Sequence, residues 1–162
     1  MILIALGANL PSSYGSPAET LEEAIKALHK RGILIKAQSH IWLTAPVPVS
    51  DQPDYHNAVV AVKTDLDAED LLKELQSVEQ AFGRVRTVRN APRTIDLDLI
   101  AYDDQILQNG LELIVPHPRM QERAFVLLPL QEVAPDWVHP VLKETLSSLI
   151  KKLPVDQSAR RL

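Results

Sequence analysis

Two aspartates, Asp96 and Asp98, stand one residue apart in the run Arg93-Thr94-Ile95-Asp96-Leu97-Asp98-Leu99-Ile100. Side chains alternate across a strand, so Ile95, Leu97 and Leu99 would face one way and both acids the other. Their Cα atoms would lie about 6.5–7 Å apart. Paired divalent cations in phosphoryl-transfer sites sit about 3.5–4 Å apart, so two carboxylates at this spacing can hold and bridge both. Magnesium suits them, because it takes hard oxygen ligands and is commonly held by only one or two carboxylates plus substrate phosphates. Taken alone, the pattern also fits an amphipathic strand whose polar face is acidic. Asp is a poor strand former, however, and neighbouring like charges repel, a cost that a bound cation would remove.

Six of the nine arginines fall between positions 84 and 123: Arg84, Arg86, Arg89, Arg93, Arg119 and Arg123. Guanidinium is the side chain suited to bidentate contact with phosphate or carboxylate. Four of the six lie in the connection Gly83–Arg93, which carries no acid and leads straight into the acidic strand. Closure of such a loop over a triphosphate would exclude water and stabilise developing charge. By itself the loop equally fits a solvated basic segment or a nucleic-acid contact.

The elements that must position these groups follow from hydrophobic periodicity. Residues 2–6 form a short apolar run, expected as a buried strand, and Gly7-Ala8-Asn9 ends it. Ser12–Pro17 is turn-rich. Leu21, Ala24, Ile25 and Leu28 fall at helical spacing over Glu19–Lys30, with Gly32 closing the helix. Ile33–Leu43 is expected as one strand, and Thr44-Ala45-Pro46-Val47-Pro48 as a loop, since two prolines forbid regular structure there. Asn57–Lys63 is a further strand. Asp67 caps a second helix running to about Phe82, with Leu71, Leu72, Leu75, Val78 and Phe82 inward. Thr94–Tyr102 is the strand of the acids. The order strand, helix, strand, strand, helix, strand predicts an α+β fold with a ferredoxin-like βαββαβ core and an antiparallel sheet. Beyond Gln105, short additional elements and a last helix over Lys143–Lys152 are expected, with a loose polar tail after Pro154.

The 162 residues, 46% hydrophobic and 23% charged, fit one soluble domain over 1–162. No apolar run is long enough to span a membrane, and the apolar start lacks the basic leader and the length of a signal peptide. With no cysteine, disulfides and thiolate metal sites are excluded, and a cytoplasmic monomer is expected. A net charge of -4 argues against general nucleic-acid binding.

The run from Gly83-Arg84-Val85-Arg86 through Pro92-Arg93-Thr94-Ile95-Asp96-Leu97-Asp98 resembles the signature of the 6-hydroxymethyl-7,8-dihydropterin pyrophosphokinases of folate biosynthesis. The likeness extends to Leu6-Gly7-Ala8-Asn9-Leu10, Gln52–Ala58, Val115–Met120 and Arg123–Leu130, nearly the whole chain. It implies an ATP-dependent pyrophosphokinase: the pterin's hydroxymethyl oxygen attacks the β-phosphorus of ATP, and AMP leaves. The resemblance implies two magnesium ions on Asp96 and Asp98, and a triphosphate clamped by Arg84 and Arg93. It also puts Gln76, Glu79, Arg86, Leu99, His117 and Arg123 at the nucleotide. For the pterin it implies a sandwich between Tyr55 and Phe125, recognition by Asn57, and contacts from Thr44, Ala45 and Pro46. Asn57 can donate and accept at once, which matches the mixed edge of a pterin ring. Without the family match, Phe125 fits a core residue, Tyr55 a surface ring and Asn57 a polar strand entry.

Two departures stand out. The family's best-studied form has a tryptophan in the arginine loop, and here Arg89-Asn90-Ala91-Pro92-Arg93 has none and is one residue shorter. Pro118 replaces the usual tyrosine after His117. The main rival is a non-catalytic ferredoxin-like module that binds a regulatory ligand or RNA. Its RNA-binding form should show aromatics on the central strands beside basic residues, and aromatic residues make up only 4% of this chain. A P-loop kinase is excluded by the lack of Gly-x-x-x-x-Gly-Lys-Ser/Thr.

Overall fold

The computed structural model describes residues 1–46, 51–83, 94–110, 112–155, 157 and 159–162. The loop arginines Arg84, Arg86, Arg89 and Arg93 lie outside the described residues, as do Val47 and Pro48 of the proline loop.

Strand β1 (Ile2–Ala8) is buried along its whole length. Antiparallel strands flank it: β4 (Tyr55–Lys63) on one side and β5 (Asp96–Tyr102) on the other. The sheet runs β5-β1-β4-β3-β8, and β2 (Leu34–Gln38) pairs β4 beyond β3 (Trp42–Thr44). Treating β2 and β3 as one broken strand gives the ferredoxin-like order. Helices α1 (Pro17–Lys30) and α2 (Ala68–Ala81) pack on one face over Ile4, Leu6, Val60, Leu97 and Leu99. Helices α3 (Ala124–Val133) and α4 (Leu146–Lys151) cover the other, over Leu3, Ala5, Val59 and Ile100. Two short strands, β6 (Leu107–Asn109) and β7 (Leu113–Val115), form a separate hairpin.

Several boundaries differ from the sequence expectation for local reasons. Helix α1 starts at Pro17, because Ser16 is its N-cap and forms a reciprocal capping box with Glu19. The single strand expected over Ile33–Leu43 is two. Between them Ser39 turns its Oγ to accept from the Val59 N–H at 2.9 Å, so a side chain replaces a rung of the ladder. Strand β5 begins at Asp96 rather than Thr94. The last helix is α4, shorter than Lys143–Lys152, with Thr145 as its N-cap. The tail is not loose: β8 (Ala159–Arg161) pairs antiparallel with β3.

Helix α3 was not expected from the sequence. Its run Ala-Phe-Val-Leu-Leu-Pro-Leu is apolar without helical periodicity, and Pro129 lies inside it. The helix forms because it lies flat on an apolar sheet face. It is tied to β3 by Glu132, whose carboxylate accepts from Trp42 Nε1 at 2.7 Å and from the His40 backbone N–H at 3.2 Å.

Candidate active site

Across the sheet, register sets Asp96 against Gly7 and Gly7 against Asn57, while Asp98 pairs with Ala5. Asp96 and Asn57 therefore project from one row and Asp98 from a neighbouring row of the same face, on the α3 side. Further along β5 that face is closed by Ile100, which is buried under α3. The acids thus sit where the sheet face leaves the second core and opens.

A cavity of about 570 Å³ opens there. Its walls include Asp96, Asp98, Thr44, Ala45, Tyr55, Asn57, Arg123 and Phe125. Pro46 is buried behind Ala45 and does not line it. Gln76, Glu79 and Leu99 belong to the opposite side of the sheet, and His117 stands outside the lining as well. The cavity joins residues from β1, β3, β4, β5 and the start of α3, so it exists only in the folded sheet.

The floor is built around Gly7. A Cβ on this residue would lie 2.9 Å from Asn57 Oδ1. Asn57 is buried, and its Nδ2 donates to Thr44 Oγ1 at 2.7 Å. The amide is therefore held at one end and cannot swing aside cheaply. Gly7→Ala is expected to displace Asn57 and weaken pterin binding about tenfold, the equivalent of ~1.4 kcal/mol. Calorimetry with the pterin checks this, and affinity for an ATP analogue should stay unchanged.

The ring of Tyr55 is also steered. Its hydroxyl donates to Gln52 Oε1 at 3.2 Å, and Asn9 Nδ2 donates to the same oxygen at 3.1 Å and to the Pro53 carbonyl at 3.2 Å. Asn9 thereby ties the end of β1 to the segment entering β4. Opposite, the Arg123 guanidinium lies 5.3 Å from the centroid of Phe125, within cation–π range. Gln157 fixes that corner. Its Oε1 accepts from the Ala124 N–H at 2.8 Å, and its Nε2 donates to the Glu122 carbonyl at 2.6 Å, which caps the start of α3.

His117 is neutral near pH 7. Burial pushes its imidazole down to about 4, the Arg123 guanidinium adds to the shift, and Asp96 opposes it. Its Nδ1 accepts from the Arg119 N–H at 3.2 Å, which leaves the ring proton on Nε2 as a donor. The folded value lies below the unfolded one of about 6.5, so folding favours the neutral ring. Stability from this group is complete above pH ~6.5 and falls as pH drops toward about 4. An NMR titration of the metal-free protein should give a His117 midpoint near about 4; one near ~6.5 would contradict the burial argument.

Sequence reasoning missed several walls of the cavity. Arg119 was visible in the arginine cluster but drew no role, and Gly7 stood in an apolar opening segment. Gln121, Glu122, Leu142, Glu144, Leu149, Lys152, Pro154 and Gln157 also line the cavity. Gln121 and Glu122 come from the turn ahead of α3, and the others come from a return of the chain through the segment before α4, α4 itself and the tail; nothing in local spacing signals that return. Glu144 and Lys152 form an ion pair at the rim.

Among the described residues, no three His, Cys, Asp or Glu side chains gather as a metal cage. Two carboxylates facing one cavity are instead a donor set for a hard cation that also takes phosphate oxygens and water. The site fits magnesium on that chemistry.

Residues 3–135 match the family model of 7,8-dihydro-6-hydroxymethylpterin-pyrophosphokinase (HPPK). The chain belongs to the HPPK family. A Haemophilus influenzae relative, 2-amino-4-hydroxy-6-hydroxymethyldihydropteridine pyrophosphokinase, is 40% identical over 92% of this chain and 90% of its own length. The Pneumocystis carinii folic acid synthesis protein fol1 is 40% identical over 94% of this chain, but this chain spans only 20% of its length. The wild-type Plasmodium falciparum HPPK-DHPS crystal structure superposes with a TM-score of 0.70 at 15% identity, covering 93% of this chain and 44% of that one. That likeness supports the HPPK fold, and the sequence relatives carry the family.

Proposed function

We propose that this HPPK-family chain transfers the pyrophosphoryl group of ATP to the hydroxymethyl oxygen of 6-hydroxymethyl-7,8-dihydropterin and releases AMP. One observation carries the reading: Asp96 and Asp98 open into the same cavity as Asn57, Tyr55 and Phe125. A carboxylate pair fit for magnesium and an amide flanked by two rings are what joining a triphosphate to a flat heterocyclic alcohol requires.

In the transfer a bond forms between the pterin oxygen and the β-phosphorus. The bond from that phosphorus to the oxygen bridging to the α-phosphorus breaks, and AMP departs with the electron pair. The hydroxyl proton passes to solvent. Two magnesium ions would neutralise charge on the phosphates and hold attacking and leaving oxygens in line. The chain's residues position and exclude. Tyr55 and Phe125 face the ring, and such stacking adds a modest energy beyond area burial. Asn57 reads its edge, with Thr44 holding the amide in place. Ala45 borders the pterin end, and Pro46 follows it in the loop without lining the cavity. Arg123 and the neutral His117 Nε2–H serve phosphate or ribose oxygens, and the family motif assigns Arg84, Arg86 and Arg93 to the triphosphate. The family motif also assigns Gln76 and Leu99 to the nucleotide; both stand on the α2 side of the sheet, outside the cavity, and Leu99 is buried in the core there.

The RNA-binding alternative needs exposed aromatics on the central strands. Strand β1 has none, and on β4 the single aromatic, Tyr55, lines the cavity. No helix among the described residues is long and apolar enough to cross a membrane. One domain and a cytoplasmic monomer without nucleic acid remain our reading. The test is AMP release from ATP with the pterin and magnesium. A binding module would release none, and ADP in place of AMP would refute pyrophosphoryl transfer.

A further inference from the structure

Helix α2 turns Leu71, Leu75, Val78 and Phe82 into the core, and Glu79 lies among them only 2% exposed. A carboxylate in such a place is costly unless hydrogen bonds hold it. Glu79 Oε2 accepts from the Leu97 backbone N–H at 2.8 Å. Leu97 is the residue between Asp96 and Asp98.

Among the described residues strand β5 is the outermost strand of the sheet on its side, paired only with β1. In an antiparallel pair, alternate residues direct their backbone groups away from the partner, so one edge of β5 has no strand to satisfy it. The His117 N–H donates to the Ile100 carbonyl of β5 at 2.8 Å, and the α2 side of the molecule holds β5 at three further points. Thr94 Oγ1 donates to the Phe82 carbonyl at 3.3 Å, just ahead of β5. The Tyr102 hydroxyl donates to the Leu66 carbonyl at its far end. Glu79 holds the middle, at the peptide that sets the direction of both acids. At 2.8 Å this bond joins a buried carboxyl oxygen to a backbone N–H that no strand among the described residues pairs.

We infer that Glu79 is a positioning residue for the carboxylate pair: by fixing the Leu97 amide it holds Asp96 and Asp98 directed together into the cavity. The inference rests on the pyrophosphokinase reading and deepens it. It gives Glu79 a task performed through the backbone, from the opposite face of the sheet, rather than through contact with nucleotide.

Two variants test it. Glu79→Gln keeps an acceptor oxygen at the same reach and replaces the carboxyl by an amide. Glu79→Leu keeps similar bulk and loses the acceptor. Hydrogen exchange of the Leu97 amide in the metal-free protein, referenced to Val60, should quicken about 100-fold in the leucine variant and stay within about threefold of wild type in the glutamine variant. Manganese affinity, read by EPR with a non-hydrolysable ATP analogue, should fall about tenfold in the leucine variant and recover in the glutamine variant. Pterin affinity should not move in either. If the leucine variant does not fold, the glutamine variant still decides. Loss of nucleotide affinity there with Leu97 still protected would overturn the inference in favour of direct nucleotide contact. Unchanged Leu97 protection in a folded leucine variant would also overturn it. Absence of AMP release by the wild-type protein would instead sink the pyrophosphokinase reading, a separate result from the exchange data.

Discussion

Alanine at Asp96 or Asp98 is expected to cut turnover by at least about a thousandfold, with the fold intact. The cations held by this pair would supply several kcal/mol of charge stabilisation, and each ~1.4 kcal/mol is tenfold in rate. Both side chains are half-buried at the rim of a cavity and stand outside either apolar core. Their loss should therefore cost little stability. Single-turnover kinetics at saturating ATP and pterin, with thermal melts alongside, measures both quantities. Pterin affinity in the absence of nucleotide should change little. A variant retaining a tenth of wild-type turnover would remove these acids from the catalytic machinery.

The second large effect belongs to Asn57. Asn57→Ala should weaken pterin binding about 100-fold, or ~2.7 kcal/mol, while the chemical step of bound substrate slows much less. The deletion removes the group proposed to read the ring's edge, and it also leaves the buried Thr44 hydroxyl without its 2.7 Å partner. Thr44→Val separates these contributions. It keeps the amide present but unanchored, and a loss of about tenfold is expected. Equal losses in the two variants would mean that the amide matters only for structure.

The strand of the two acids was the most legible part of the sequence. Leu97 and Leu99 lie in one core, Ile100 in the other, and Asp96 and Asp98 face the cavity, as alternation demands. The ferredoxin-like order was legible for the same reason, since each of its elements buries one periodic face. What escaped was non-local. Helix α3 carries no period because a flat apolar sheet face, not an amphipathic stripe, decides its structure. Strand β8 is polar and forms only because β3 offers it an edge. The break at Ser39 depends on one hydroxyl meeting the Val59 amide. Glu79 was noticed as a motif residue, but its link to Leu97 spans 18 positions and needs the packed helix to exist.

One pair of neighbouring acids is expected to join the nucleotide to the pterin through metal. Crystals grown with manganese, a non-hydrolysable ATP analogue and the pterin test it most directly by anomalous scattering. Two peaks about 3.5–4 Å apart are expected, each bound by Asp96, Asp98 or both, with the pterin between Tyr55 and Phe125. Manganese bound away from these carboxylates, or a pterin outside the cavity, would contradict it.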